Sequence, residues 1–375
     1  MRVLLLSTAA IALVAATNLP AISLAGPAIA APVGAGAPSN DRLTLPAPKM
    51  GRSRPLVVVV ADNAGAETTD FTIPYGVLKD SGVADVRSLS TRAGPVQLRM
   101  ALKVLADSTV AQFDTAEPAG ADIVIVPAQM SPKNAVLSAW IRAQAAKGAT
   151  IVSICEGARV LANAGLNNGK KVTTHWSAFK SLEKDYPATT WFRDRRYIQD
   201  GAIISTAGVS ASIPVSLALI EAIGGRSAAA DTAKRLGVSE WGAAHRTADF
   251  ELVKGDVSGA VGTALAFWSH ETVELPLTEG VDEVALALRA DAWSRNFRSK
   301  VASTSPGTAG VRSRHGLTIL PDARPVAGRY VLAAEPAAAV PQLEASLSEM
   351  GRRYGPAAVR LAKLGMEHNA PVLAR

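Results

Sequence analysis

Buried-strand runs alternate with helical stripes along this chain. In "RPLVVVVADNAG" the apolar run from Leu56 to Ala61 is unbroken and ends in Asp, Asn and Gly, as a strand covered on both faces of a parallel sheet does. A helical stretch follows through "IPYGVLKDSG", and "ADIVIVPA" repeats the buried run. Leu137, Trp140, Ile141 and Ala145 then recur at helical spacing until Gly148. "ATIVSI" is a third strand, "ARVLANAG" a helix closing at Gly165, and "KVTTH" and "AIISTAG" are further short strands. Pro214 opens a helix through "PVSLALIEAIGG". Strands alternating with helices predict an α/β fold, a parallel-sheet sandwich over residues 55–226.

A different period separates the first two buried strands. In "VQLRMALKVL" residues Val96, Leu98, Met100, Leu102 and Val104 share one face, the pattern of a half-exposed strand or hairpin. This stretch has an echo: "VRSRHGLTILPD" (311–322) aligns without a gap on "VQLRMALKVLAD" (96–107), keeping Val, Arg, Leu, Leu and Asp. Upstream, "VELPLTEGVDEVALALRADA" mirrors the first strand and helix, and downstream "GRYVLAAEP" mirrors "ADIVIVPAQ". An internal repeat alters a fold assignment. Residues 273–375 therefore read as a degenerate, incomplete second copy without a cysteine, reached through a basic, Ala-rich connecting helical segment over 227–272. Such a copy is too small to bury a core alone and must pack on residues 55–226. In that arrangement 311–320 and Val331 to Ala334 are strand and 340–352 is helix. The competing reading is chance similarity between two short amphipathic strands.

Composition narrows the function classes. With 48% hydrophobic residues the 375-residue chain is globular and has room for two domains. Its net charge of +7 comes from scattered Lys and Arg without aromatic interleaving, which describes a solvated basic surface and no nucleic-acid face. The histidines, His175, His245, His270, His315 and His368, lack the close spacings of a zinc site, so no metal and no cofactor is called for. The N-terminus carries Arg2, an apolar stretch from Val3 to Ala16, and Ala28 and Ala30 in an AxA arrangement. That pattern predicts a signal peptide over 1–30 and a secreted or periplasmic protein. An uncleaved membrane anchor is the alternative, opposed by Asn18, Pro20 and Pro27, which interrupt the roughly 20 apolar residues a spanning helix needs. Residues 31–54, rich in Pro, Gly and Ala, read as a linker.

The single cysteine stands in "IVSICEGARVL", where a buried strand turns into a helix. Such a turn holds the side chain of Cys155 above the sheet, at the mouth where parallel α/β proteins bind ligands. The helix N-terminus adds partial positive charge and free N–H groups, so a reactive thiolate and an oxyanion seat are expected, against the alternative of an inert buried thiol.

Four segments, "GAETTDFTIPYGVLKDSGV", "IVSICEGARVLANAGL", "KVTTHWSAF" and "DGAIISTAGVSASIPVSLALIEAIGG", stand in the order and spacing of the DJ-1/PfpI superfamily, and the chain resembles its isonitrile hydratase and amidase-like regulator branch over residues 55–226. The resemblance implies a flavodoxin-like sandwich, often dimeric, with a nucleophile elbow at Cys155. It assigns Asp70 to the family's acidic residue that hydrogen-bonds the cysteine sulfur, whereas Asp70 read alone is a helix N-cap. A carboxyl group beside a thiolate is pushed toward its protonated form and can then relay a proton. His175 matches a family histidine near the cysteine; alone it is a structural strand-end residue. Trp176 reads as pocket wall, and Gly208 resembles a glycine loop beside the elbow. Three positions depart from the pattern. Glu156 replaces the histidine that protease-like members carry, which argues against a peptidase, and Ala128 and Gln129 replace the family's Gly-Gly. Together with Gly157, these residues are the expected substrate contacts. No helix-turn-helix pair follows residue 230.

The expectation is an exported cysteine enzyme adding Cys155 to a small electrophilic carbon, by hydratase, amidase or reactive-carbonyl chemistry, with Asp70 and His175 moving protons. The alternative is a non-catalytic ligand-binding or redox-sensing module. The partner is a small molecule, and an internal pseudo-dimer or a homodimer would supply the family's dimer contact.

Overall fold

The structure, a computed structural model, describes residues 42–251, 270–333 and 336–368. The predicted signal segment and the start of the linker lie outside the described residues. Residues 42–54 do not hang free as a linker: Arg52 pairs with Asp122 at 2.8 Å and Glu117 at 2.9 Å, and the Asp122 carboxylate also accepts the N–H of Leu56.

In chain order the first part contributes β1 (Leu56–Ala61), α1 (Thr68–Ser81), β2 (Asp85–Ser90), β3 (Val96–Arg99), β4 (Lys103–Leu105), β5 (Ile123–Val126), α2 (Ala135–Ala146), β6 (Thr150–Ser153), α3 (Gly157–Asn163), β7 (Tyr197–Asp200), β8 (Ile203–Thr206) and α4 (Ser212–Leu236). The central sheet runs β7-β8-β6-β5-β1-β2 and ends on the short strand Ser108–Thr109. All its pairings are parallel except β7 with β8. Every residue of β1, β5 and β6 is buried, because helical layers cover both faces of the sheet. The flavodoxin-like α/β sandwich is thus the fold. The hydrophobic pattern missed β2: its sequence DVRSLS has no apolar run, and its buried Ser88 is satisfied by Asp107, whose Oδ2 accepts both the N–H (2.8 Å) and the hydroxyl (2.9 Å).

The connecting segment differs from a helix over 227–272. Helix α4 extends to Leu236 with a break at Gly225 (φ 86°), and Gly237 ends it in the left-handed region (φ 76°). Beyond it, the described residues as far as Glu251 hold only a 3-10 turn at Thr247–Phe250; residues 252–269 lie outside the described residues. The stretch Val209–Leu236 is long and apolar enough to cross a membrane, yet half of its apolar window is buried in the protein, as in a core helix.

The second part contributes β9 (Glu271–Pro276), α5 (Glu283–Ser294), β10 (Ser299–Thr304), β11 (Val311–Arg312), β12 (Thr318–Ile319), β13 (Tyr330–Val331), α6 (Ala339–Tyr354) and α7 (Pro356–Met366). Strand β9 lies between β10 and β13, parallel to both, in the order in which β1 lies between β2 and β5. Asp322 Oδ2 accepts from Ser303 N at 3.0 Å and Ser303 Oγ at 2.9 Å, the arrangement that Asp107 makes with Ser88. The two hairpins meet: β12 pairs antiparallel with β4, setting Ile319 opposite Val104 and Thr318 opposite Leu105. Val104 and Ile319 are aligned positions of the two matching sequences, so each hairpin presents the same edge to the other, as subunits do across a two-fold interface. Buried side chains of both parts, among them Phe71, Ile73, Leu217, Leu288, Trp293 and Leu347, form one continuous apolar cluster. Helix α1 packs against α4 and against α5.

Among the ion pairs that cross this seam is a histidine clamp. His315 sits with Nδ1 2.6 Å from Glu283 Oε1 and Nε2 3.4 Å from Asp80 Oδ1, and these two carboxylates push its pKa up to about 9. An imidazole that ordinarily titrates near 6.5 thus holds its proton more tightly in the folded chain. Its contribution to stability is fully present below pH 6.5 and is lost as pH rises through about 9. Urea unfolding should show that decline, and His315→Gln should flatten it.

Candidate active site

Cys155 occupies the turn between β6 and α3 with φ 55°, a left-handed conformation unusual for a residue with a side chain. Its N–H donates to Ala207 O and Thr206 Oγ1, each at 3.2 Å, and its carbonyl accepts from Thr174 Oγ1 at 3.1 Å. The turn is thereby clamped between the end of β8 and the 173–175 loop. Gly157 is required by packing: a Cβ there would overlap the Val126 carbonyl oxygen. It sets α3 against β5 and offers substrate no side chain. The thiol is 6% exposed.

Asp70 comes from the first turn of α1 and is fully buried. Pro74 has no N–H to give the Asp70 carbonyl four residues back, so the helix is locally loosened there. One carboxyl oxygen, Oδ2, accepts the Ala128 N–H at 3.2 Å; among the described residues Oδ1 has no hydrogen-bond partner. Ala128 thus aims its amide at Asp70, and its carbonyl accepts the Glu67 N–H at 2.8 Å. The Gln129 side chain turns to the strand ends, accepting from Asp62 N and donating to Val60 O and Pro127 O. It braces the loop after β5 through these backbone contacts.

The second part of the chain enters here. Arg295, just beyond α5, donates to Glu67 Oε1 at 2.6 Å and to Asp291 Oδ1 at 2.7 Å, while Asp291 Oδ2 accepts weakly from Thr69 Oγ1 at 3.5 Å. Glu67 and Asp291 share this guanidinium, and Asp70 lies within its field. Burial pushes Glu67 up to about 7, with Arg295 opposing and Asp291 adding to the rise. Burial and then the Glu67 charge raise Asp70 well above the usual carboxyl range. Asp291 also rises, through burial and against the pull of Arg295. Asp70 is therefore held toward its protonated form, and because Oδ2 accepts the Ala128 N–H, Oδ1 is the oxygen left to carry a proton. For Cys155, burial first and then the charges of Asp70, Glu156, Glu67 and Glu367 push the thiol well above its ordinary range. The expected thiolate is not what this electrostatic setting favours: too few cations face the sulfur. Glu156 points outward, 38% exposed in its side chain, and pairs with Arg159 at 3.1 Å.

A second group of residues lies on the other side of the elbow. His175 Nδ1 sits 2.7 Å from Ser177 Oγ and accepts the Ser177 N–H at 3.3 Å, and burial lowers its pKa, so the imidazole is neutral. It caps the turn that follows, and none of its hydrogen bonds links it to Cys155. Trp176 stacks at a tilt on His175 and gives its indole N–H to Leu364 O at 3.0 Å. The Gly208 N–H donates to Glu367 Oε2.

Residues 56–222 match the model of the DJ-1/PfpI family. An uncharacterised protein of Streptomyces lividans is 32% identical over 140 residues, which are 36% of this chain and 95% of that protein. The isonitrile hydratase of Pseudomonas putida is 30% identical over 160 residues, 42% of this chain and 67% of the hydratase. This chain belongs to the DJ-1/PfpI family. The crystal structure of Drosophila melanogaster DJ-1beta matches half of this DJ-1/PfpI protein and all of the other chain, with 24% identity and a TM-score of 0.45. The structure joins Cys155 to the loops that hold Thr174 and Ala207, whereas the hydrogen bond from Asp70 to the sulfur that the family resemblance implied is absent among the described residues; their link is electrostatic. Sequence reasoning missed Glu67, Asp291, Arg295, His245 and Glu367. Glu67 lies within the quoted "GAETTDFTIP" motif, three residues before Asp70, and was readable; the others come from segments whose placement depends on how the second part docks.

Two outcomes follow. Arg295→Met leaves Glu67 and Asp291 buried without their cation and should cost about 3–5 kcal/mol of unfolding free energy by urea titration. Cys155 should alkylate with iodoacetamide more slowly than free cysteine at neutral pH, its rate still climbing above the ordinary thiol range; mass spectrometry of the single cysteine reads this directly.

Proposed function

We propose that this protein is an exported cysteine enzyme that adds the Cys155 thiol to a small electrophilic carbon, with Asp70 as proton donor and acceptor. The observation that carries this reading is the buried acid itself: a carboxyl group that burial pushes toward its protonated form, one oxygen fixed by Ala128 N–H and the other unpartnered among the described residues, in the electrostatic neighbourhood of a thiol on a strained turn. A thiol that starts neutral needs a group that removes its proton as the S–C bond forms. A carboxylic acid does this bifunctionally, taking the thiol proton on one oxygen while giving its own from the other. With an isonitrile, sulfur bonds to the terminal carbon and Asp70 delivers its proton there, giving a thioimidate. Water then adds to that carbon, the S–C bond breaks, the thiol regains a proton, and a formamide leaves. Isonitrile plus water gives formamide, with nothing oxidised or reduced. With an amide or a reactive carbonyl the same addition puts the developing charge on oxygen. Export rests on the N-terminal sequence pattern, and the doubled pairing order and Ser–Asp clamps support reading residues 273–375 as a partial second copy that stands in for a dimer partner.

The near-complete burial of Cys155 and its raised pKa favour a second reading, a ligand-binding or redox-sensing module without turnover. Purified protein assayed against isonitriles, amides, esters and dicarbonyls separates the two. The enzyme reading expects turnover of one class, lost in Cys155→Ala and reduced about 10²–10⁴-fold in Asp70→Asn. Turnover that survives Cys155→Ala would sink it.

A further inference from the structure

Glu367 sits in the protein as a bound ligand would. It caps the C-terminal end of α7 in the left-handed region (φ 54°), and its side chain is 1% exposed. The Gly208 N–H donates to Oε2, His245 Nε2 lies 3.0 Å from Oε1, and the Ser210 hydroxyl donates to the Glu367 carbonyl at 2.6 Å. A buried carboxylate is costly unless donors replace its water, and here the donors belong to elements that stand without it. Gly208 follows Ala207, whose carbonyl accepts the Cys155 N–H at 3.2 Å. The Gly208 backbone, with φ −68°, suits any residue, so conformation does not demand glycine. Space does: a Cβ would overlap the Glu367 carboxylate and lie 2.5 Å from His175 Cδ2.

We propose that the Gly208 N–H and His245 form a carboxylate-binding subsite beside Cys155, that Glu367 is its internal occupant, and that small carboxylates take the seat when the Glu367 side chain leaves it. Leu364 and Met366 stay anchored in the apolar core, Leu364 O accepts from Trp176, and His368 Nε2 lies 2.6 Å from Glu344 Oε1, so the exchange needs only the Glu367 side chain to swing out of its seat. Because the occupant is tethered, it competes at high effective concentration, and free carboxylates bind the intact chain weakly. Resting on the catalytic reading above, the subsite further selects substrates with a carboxylate at one end and the electrophilic carbon within reach of the thiol at the other.

Calorimetry with succinate on full-length chains carrying Cys155→Ala tests the subsite independently of thiol chemistry. Adding Glu367→Ala should tighten succinate binding at least tenfold, succinamide should not bind, and His245→Ala on top should undo the gain. Glu367→Gln, which keeps the side chain's bulk, should also tighten binding and serves if the alanine variant does not fold. Unchanged succinate affinity in the Glu367 variants, equal binding of succinamide, or a gain that survives His245→Ala overturns the proposal. Turnover of uncharged substrates without succinate binding overturns the subsite alone; succinate binding without turnover of any substrate supports it and overturns the catalytic reading.

Discussion

Arg295 placed between Glu67 and Asp291 is the contact on which the rest depends. It joins the second part of the chain to the first turn of α1, where Glu67 and Asp70 stand. In a dry interior a guanidinium and two carboxylates are tolerated only when each satisfies the others. Their geometry therefore holds α5 against α1, and α1 carries Asp70 to the elbow. The same contact sets the electrostatics: burial raises all three acids toward their protonated forms, and the Arg295 guanidinium opposes that rise.

That balance of charges explains why the thiol behaves differently from a cysteine at a bare helix terminus. The dipole of a helix as short as α3 offers partial charge, while Asp70, Glu156, Glu67 and Glu367 all oppose ionisation and burial removes water. The proposed reaction therefore divides the labour: sulfur supplies the nucleophile, and a neighbouring acid supplies the proton movement that an ionised thiol would not need.

The docking of the second part follows from what a half-sandwich lacks. Strands β9, β10 and β13 with α5 and α6 leave an apolar face that cannot close by itself, and it closes on α1 and α4 in one continuous core. The antiparallel meeting of β4 and β12 satisfies two strand edges that would otherwise stand open. Once docked, this part lends Arg295 and Glu367 to the elbow from residues far along the chain.

The sequence by itself determined the parallel sandwich, because β1, β5 and β6 are apolar runs that only a doubly covered sheet accepts, and it located Cys155 and Asp70, because a strand-to-helix turn and its co-ordered motifs are local signals. Its expected strand over 311–320 is two short strands of a hairpin, its strand over Val331 to Ala334 reaches only Val331 within the described residues, and its helix over 340–352 runs from Ala339 to Tyr354. Strand β2 stayed hidden, since its pairing rests on Ser88 and Asp107 and not on a hydrophobic run. Only the tertiary structure decided the chemistry of the site. Whether His175 is a shuttle or a cap, whether Gln129 faces substrate or backbone, and whether the thiol ionises all depend on which charges lie within a few ångströms. Those charges are brought there by Arg295, Asp291 and Glu367, whose distance from Cys155 along the chain says nothing about their distance in space.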